Sequence, residues 1–163
     1  MDKILEKLEK KPLSDGEILE GCNNKCNIVC YSDMHKYHSI DELLNPYDCC
    51  IILYNKTSNC GHWCALIKRN NLLEFFDPYG LYPDEELKYI KKYEPYLSYL
   101  MIDSPYKLSY NQYKFQKFKK DINTCGRWCY LRIQFKDWSL DKFNKYFTKK
   151  DNDKFATFLT YDL

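Results

Sequence analysis

The 163-residue sequence has no long apolar run, little net charge, only three arginines, five glycines and six prolines. Its longest uncharged apolar stretch, Cys49-Cys50-Ile51-Ile52-Leu53-Tyr54, is strand-sized and far short of the ~20 residues of a membrane-crossing helix, so no membrane span is expected. A formal charge of +2 and a pI near 8.0 give no general attraction to polyanions, which leaves nucleic acid at most an accessory partner. Glycine this scarce excludes a collagen-like repeat, and no flexible linker divides the chain, so residues 1–163 read as one domain. The opening Met1–Lys11 stretch alternates charge with leucine and has no apolar core before a small-residue cleavage site. Without a signal peptide the nine cysteines are expected in a reducing compartment, and an odd count leaves at least one thiol free.

What is present is a globular composition, 45% hydrophobic and 29% charged, which excludes a disordered tail or a coiled coil. Sixteen tyrosines, and lysine at every basic position except Arg69, Arg127 and Arg132, point to an AT-rich genome.

The pattern alternates helices and strands. Ile4, Leu5 and Leu8 predict a short amphipathic helix stopped by Pro12, and Ser14–Glu17 has the spacing of a capping box for a second. Asn27–Tyr31 reads as a strand, and Ser39–Glu42 as a capping box for a helix ended by Pro46. Strands are expected at Asp48–Tyr54, His62–Lys68 and Leu72–Phe76, with turns at Lys56–Asn59 and Arg69–Asn71. Pro83 is placed to open a helix, acidic early at Asp84–Glu86 and basic late at Lys91–Lys92, with a further helix or extended piece to Met101. Thr124 is expected to cap a helix starting at Cys125 and carrying Trp128, Leu131, Phe135 and Trp138, before two more short helices. The fold class is α+β, a mixed central sheet packed against helices.

Three polar groups stand at element ends: Gly61-His62-Trp63, Asp77-Pro78-Tyr79-Gly80 and Asn123-Thr124-Cys125-Gly126. Cysteine nucleophilic chemistry needs a thiolate, a base, a group that orients the base, and donors for the oxyanion. Cys125 at a helix start, with an imidazolium nearby, suits a thiolate, while Gly126 removes a side chain where substrate backbone approaches and leaves its backbone amide as a donor. A hairpin brings the start of one strand beside the end of the next, so His62 and Asp77 are expected as neighbours, with Asp77 accepting Nδ1–H and Nε2 facing the thiol. Glu74 is the other candidate for the orienting acid, but alternation puts it on the opposite strand face from Asp77. Taken singly, each residue has a plainer reading as a buried thiol, a core histidine or a turn former.

In their order, Gly61-His62-Trp63, Phe76-Asp77-Pro78-Tyr79-Gly80 and Cys125-Gly126-Arg127-Trp128 resemble the adenovirus-type maturation cysteine proteases (adenain), over roughly residues 47 to 135. Their clan also holds the ubiquitin-like-protein-specific proteases. The resemblance implies a sheet core with the nucleophile at a helix start, His62 as base, Asp77 as third member and Cys125 as nucleophile. It implies an oxyanion glutamine ahead of the nucleophile, for which Gln116 is the candidate at nine residues' distance and Asn123 the alternative, and Trp63 as support near the base. It further implies processing of viral capsid or core precursor proteins after Gly-Gly or Gly-x-Gly, in the host cytoplasm (the viral factory) and the virion. The expected enzyme is a monomer without cofactor, an accessory nucleic acid or activating peptide being an optional partner. Removal of ubiquitin or SUMO-type modifiers is the first alternative, and a non-catalytic binding module the second.

Cys22, Cys26 and Cys30 with His35 and His38 raise zinc, but the spacing lacks the pair-of-pairs pattern and no metal site is expected. Cys60, Cys64 and Cys129 read as buried thiols. The basic run Lys114–Lys120, with Phe115 and Phe118 interleaved, reads as a solvated face ahead of a nucleic-acid contact.

Overall fold

Local signals set the first elements. Helices α1 (Asp2–Glu9) and α2 (Asp15–Gly21) flank Pro12, and the capping box forms: Ser14 Oγ accepts the Glu17 N–H at 3.2 Å while the Glu17 carboxylate accepts the Ser14 N–H at 2.8 Å. Strand β1 (Asn27–Cys30) runs into a 3-10 turn, Tyr31–Lys36, and α3 (Ile40–Leu44) starts at Ser39, whose Oγ accepts the Glu42 N–H at 3.1 Å. The reciprocal bond slips by one residue, because the Glu42 carboxylate takes the His38 N–H. The computed structural model describes residues 1–57, 60–90, 92–148 and 151–163, with the side chains of Thr57 and Cys60 left aside. The expected turn at Lys56–Asn59 therefore lies partly outside the described residues, as do Lys91 and the Cys60 thiol.

Strands β2 (Cys49–Thr57), β3 (Cys60–Arg69) and β4 (Leu72–Phe76) form an antiparallel meander, with Asn70 supplying the left-handed residue (φ 53°) of the second turn. β1 joins β2 in parallel, and β5 (Lys107–Tyr110) joins β4 in parallel, giving a five-stranded mixed sheet in the order β1-β2-β3-β4-β5. β5 is an edge strand without buried alternation, so the apolar pattern does not reveal it.

Both faces are covered. Ile51, Leu53, Trp63, Ala65 and Ile67 pack against Trp128 and Cys129 of α6 (Cys125–Gln134), Phe143 and Phe147 of α7 (Leu140–Phe147) and Ala156 of α8 (Asn152–Leu159). On the other face Ile52, Tyr54, Leu66 and Phe75 meet Leu43 and Leu44 of α3 and Leu97 and Met101 of α5 (Tyr96–Asp103). The architecture is α+β, helix–sheet–helix. Among the described residues no helix is long and apolar enough to cross a membrane.

Two expected helices differ. The one opening at Pro83 shrinks to α4 (Leu87–Ile90), because Asp84 takes a left-handed φ of 65° and commits its carboxylate to the Tyr54 hydroxyl at 2.9 Å and the Ser98 N–H at 2.7 Å. Tertiary anchors thus replace the expected first turn. α6 stops at Gln134, short of Trp138, because Arg132 Nη1 and Nη2 donate to the carbonyls of Phe135 and Trp138 and curl the chain back.

Gly126 is buried in this packing. A Cβ there would lie 3.2–3.3 Å from Leu13 Cβ, Ile18 Cδ1 and Trp63 Cδ1, so the glycine lets α6 seat against the α1–α2 connection and β3. The expectation that its missing side chain clears room for substrate is corrected on that ground. Gly126→Ala is expected to lower stability by about 1–3 kcal/mol through overpacking, seen as a lower denaturant midpoint at unchanged slope.

Candidate active site

The β3–β4 register builds the first half of the site. Ala65 pairs with Phe76, so the chain continuing past β4 brings Asp77 beside Cys64 and Tyr79 beside His62. His62 Nε2 and Asp77 Oδ1 are 2.8 Å apart, and the Tyr79 ring stacks on the imidazole at 4.4 Å and 14°. Asp77 Oδ1 also accepts the Tyr79 N–H at 2.7 Å, while Asn111 Nδ2 and the Gly80 N–H each donate to the Asp77 carbonyl at 2.8 Å. The nitrogen assignment reverses the expectation: Nε2, the far end of the ring, reaches Asp77 across the strand gap, and Nδ1 is left for the thiol.

Cys125, the first residue of α6, supplies the second half and stands near enough to His62 for its sulfur to act on the imidazole. Both line a cavity of about 220 Å³ with Gly61, Tyr79, Glu86 and Gln116. Burial alone pushes the His62 pKa down; the Asp77 hydrogen bond and charge, and then those of Cys125, outweigh it and lift it to about 10. The folded value stands above the ordinary 6.5, so the stabilisation from this pair is complete below pH 6.5 and is lost as pH rises through about 10. The stability difference between the wild type and His62→Gln, followed by urea titration from pH 6 to 10.5, is expected to shrink over that window.

The other expected site residues fall at different places. Gln116 is buried on the cavity, but its Nε2 donates to the Tyr79 hydroxyl at 3.1 Å and the Ile122 carbonyl at 2.9 Å. Asn123 also reaches the cavity, with its Nδ2 donating to the Lys10 carbonyl at 2.8 Å. Trp63 lies on the strand face opposite His62 and donates Nε1–H to the Leu13 carbonyl at 3.2 Å, so it walls the neighbouring groove and does not pack on the imidazole. Glu74 sits on that face as well, held by Arg132 Nε at 2.8 Å and Arg69 Nη2 at 3.2 Å, and is thereby removed from His62. Thr124 does not cap α6 with its side chain; its hydroxyl donates to Asp153 Oδ1 at 2.5 Å.

Sequence reasoning missed three residues here. Tyr79 was visible only as part of the Asp-Pro-Tyr-Gly motif; burial, then the nearby charge of Cys125, push its phenol pKa up. Glu86 carries no local signal, yet it lines the cavity; burial raises its carboxyl pKa and the His62 charge opposes that rise. Asp153, fully buried on α8, accepts from Thr124, from Trp128 Nε1 at 3.2 Å and from the Lys117 N–H at 2.9 Å, tying the start of α6 to the segment that follows Gln116.

Cys22 and Cys26 lie buried in the α6-side core, whereas His35 and His38 are exposed. Among the described residues the one gathering of metal-ligand types is His62, Cys64 and Asp77, already closed by the His62–Asp77 hydrogen bond. In the basic run, Phe115 is core and Phe118 leans on Tyr79 at 5.0 Å.

No family model matches the chain. The mixed five-stranded sheet packed with helices is similar to the adenain-like protease fold, and the structure superposes on the ASFV pS273R protease with a TM-score of 0.54 at 16% identity, over 93% of this chain and 67% of that one. The SUMO protease Ulp1 aligns with a TM-score of 0.42 at 17% identity, over 99% of this chain and 75% of that one. In sequence the chain is 44% identical to protein V9 of the Sputnik virophage over 173 residues, 97% of this chain and 99% of V9, and it belongs to the V9 family.

Proposed function

We propose that the chain is a cysteine endopeptidase that processes viral capsid or core precursor proteins after Gly-Gly or Gly-x-Gly. The observation that carries this is a buried imidazole hydrogen-bonded to the Asp77 carboxylate in a cavity that the Cys125 thiol also lines. His62 takes the proton of the Cys125 thiol, the sulfur attacks the scissile carbonyl, and His62 then returns that proton to the departing amine. Water, deprotonated by His62, releases the acyl group from Cys125.

The oxyanion falls to the backbone N–H groups of Cys125 and Gly126, which the first turn of α6 leaves without intrahelical partners. Gln116 acts beside them: by donating to the Tyr79 oxygen it frees the Tyr79 hydroxyl proton for the same acceptor. Asn123 is less suited, since its amide is drawn toward Lys10. A cavity of about 220 Å³ walled by Tyr79, Tyr89 and Phe118 fits residues without side chains at the scissile bond. A relative carried by a virophage supports the viral setting.

The test is cleavage of Gly-Gly and Gly-x-Gly peptides and of virion precursors under reducing conditions, alongside ubiquitin- and SUMO-based suicide probes. Precursor cleavage is expected. Labelling of Cys125 by a modifier probe without precursor cleavage would replace this reading with modifier removal.

A further inference from the structure

Among the described residues Glu86 is the single carboxylate lining the cavity of Cys125 and His62, and the chemistry above gives it no task. It is 8% exposed, and its Oε2 is closed off from solvent with no hydrogen-bond partner among the described residues. Native proteins rarely leave a buried carboxylate oxygen unpaired, because desolvation without a compensating donor is costly. Its charged surroundings are His62, Asp77, Lys56 and Lys88; of these, Lys88 is engaged by Glu85, and Lys56 is an exposed residue at the rim of the same cavity that makes no ion pair with Glu86. The position is rigid, since Asp84 pins the preceding turn to Tyr54 and Ser98.

The neighbouring groove indicates which side of the scissile bond Glu86 meets. An apolar groove lined by Leu13, Ile28, Leu53 and Trp63 joins the cavity at Gly61 and Asn123, the residues the two share. That entrance suits the acyl side of a bound peptide. Glu86, Tyr89 and Phe118 line the cavity but not the groove. His62 and Cys125 both line the cavity alone, so with the acyl chain drawn into the groove the leaving chain is left to run past Glu86.

Resting on the protease reading above, we propose that Glu86 is the specificity determinant of the leaving side, its unpaired oxygen receiving the cationic side chain of a lysine or arginine that follows the scissile bond. A cation supplies the donor that Oε2 lacks, and an acidic residue there would meet a carboxylate of like charge.

Two measurements test this without requiring turnover. First, Cys125 is modified with cationic trimethylammonioethyl methanethiosulfonate and with anionic sulfonatoethyl methanethiosulfonate, and the Cys125 peptide is followed by mass spectrometry. The cation-to-anion rate ratio is expected to fall about 3- to 10-fold in Glu86→Gln and to hold in Glu85→Gln, which removes the same charge outside the cavity. Second, on the Cys125→Ala chain with Glu86 intact, a Gly-Gly-Lys peptide is expected to bind about tenfold tighter than its Gly-Gly-Glu counterpart. Equal affinities overturn the proposal even if the Glu86 variant does not fold, and so does a ratio that Glu86→Gln leaves unchanged. If the wild type cleaves nothing yet both preferences appear, the cation subsite stands and the protease reading falls. Hydrolysis without either preference has the opposite meaning.

Discussion

Replacing Cys125 with alanine is expected to abolish hydrolysis of glycine-rich peptides, a fall of about 10⁴- to 10⁶-fold, with the fold retained. The size follows from the chemistry: without the sulfur no acyl-enzyme forms, and what remains is the effect of oxyanion donors on uncatalysed attack by water. Retention of the fold follows from the packing. Cys125 is small, borders a cavity and contributes little to the core formed by Trp128, Phe143 and Phe147. Peptide hydrolysis, with thermal melting as the control for folding, reads both halves of the expectation. Equal rates in the two proteins would leave the chain a binding module that keeps the fold without the chemistry.

Asp153→Ala is expected to cost about 3–5 kcal/mol and to depress peptide hydrolysis beyond what the unfolded fraction explains. Its carboxylate is the shared acceptor for the Thr124 hydroxyl, the Trp128 indole N–H and the Lys117 backbone N–H. Removing it strands these donors, two of them fully buried, at about 1–3 kcal/mol each. Thr124 immediately precedes Cys125 and Lys117 follows Gln116, so the loss loosens Cys125 and the Gln116 segment together. Asp153→Asn keeps one acceptor oxygen for Thr124 and Trp128 but turns an NH₂ toward the Lys117 N–H. It is expected to recover most of the stability and less of the activity. Urea denaturation and kcat measured on the same samples separate the two effects, and a parallel recovery of both would assign Asp153 to stability alone.

The parts of the site legible in the sequence were those carried by local chemistry. His62 and Asp77 were readable as neighbours because a short hairpin joins their strands and alternation has a period of two. Cys125 was readable because a helix start is marked by its own residues. The ring nitrogen facing Asp77 was not readable, since it depends on how far the end of β4 stands from His62. Trp63, next in sequence to His62, lies on the other strand face and serves the groove instead. β5 escaped notice because an exposed edge strand leaves no burial pattern, and the Pro83 helix was shortened because Asp84 found partners far away in sequence.

The sequence by itself determined the α+β class, two N-terminal capping sites, the central meander and the ordered His62, Asp77 and Cys125. All of these depend on spacing within a few residues or across one tight turn. Only the tertiary structure decided that Asp153, Glu86 and Tyr79 surround the site, and that Gly126 is a packing residue. Each of those depends on contacts between segments distant in sequence, where neither helical nor strand periodicity says which side chains will meet.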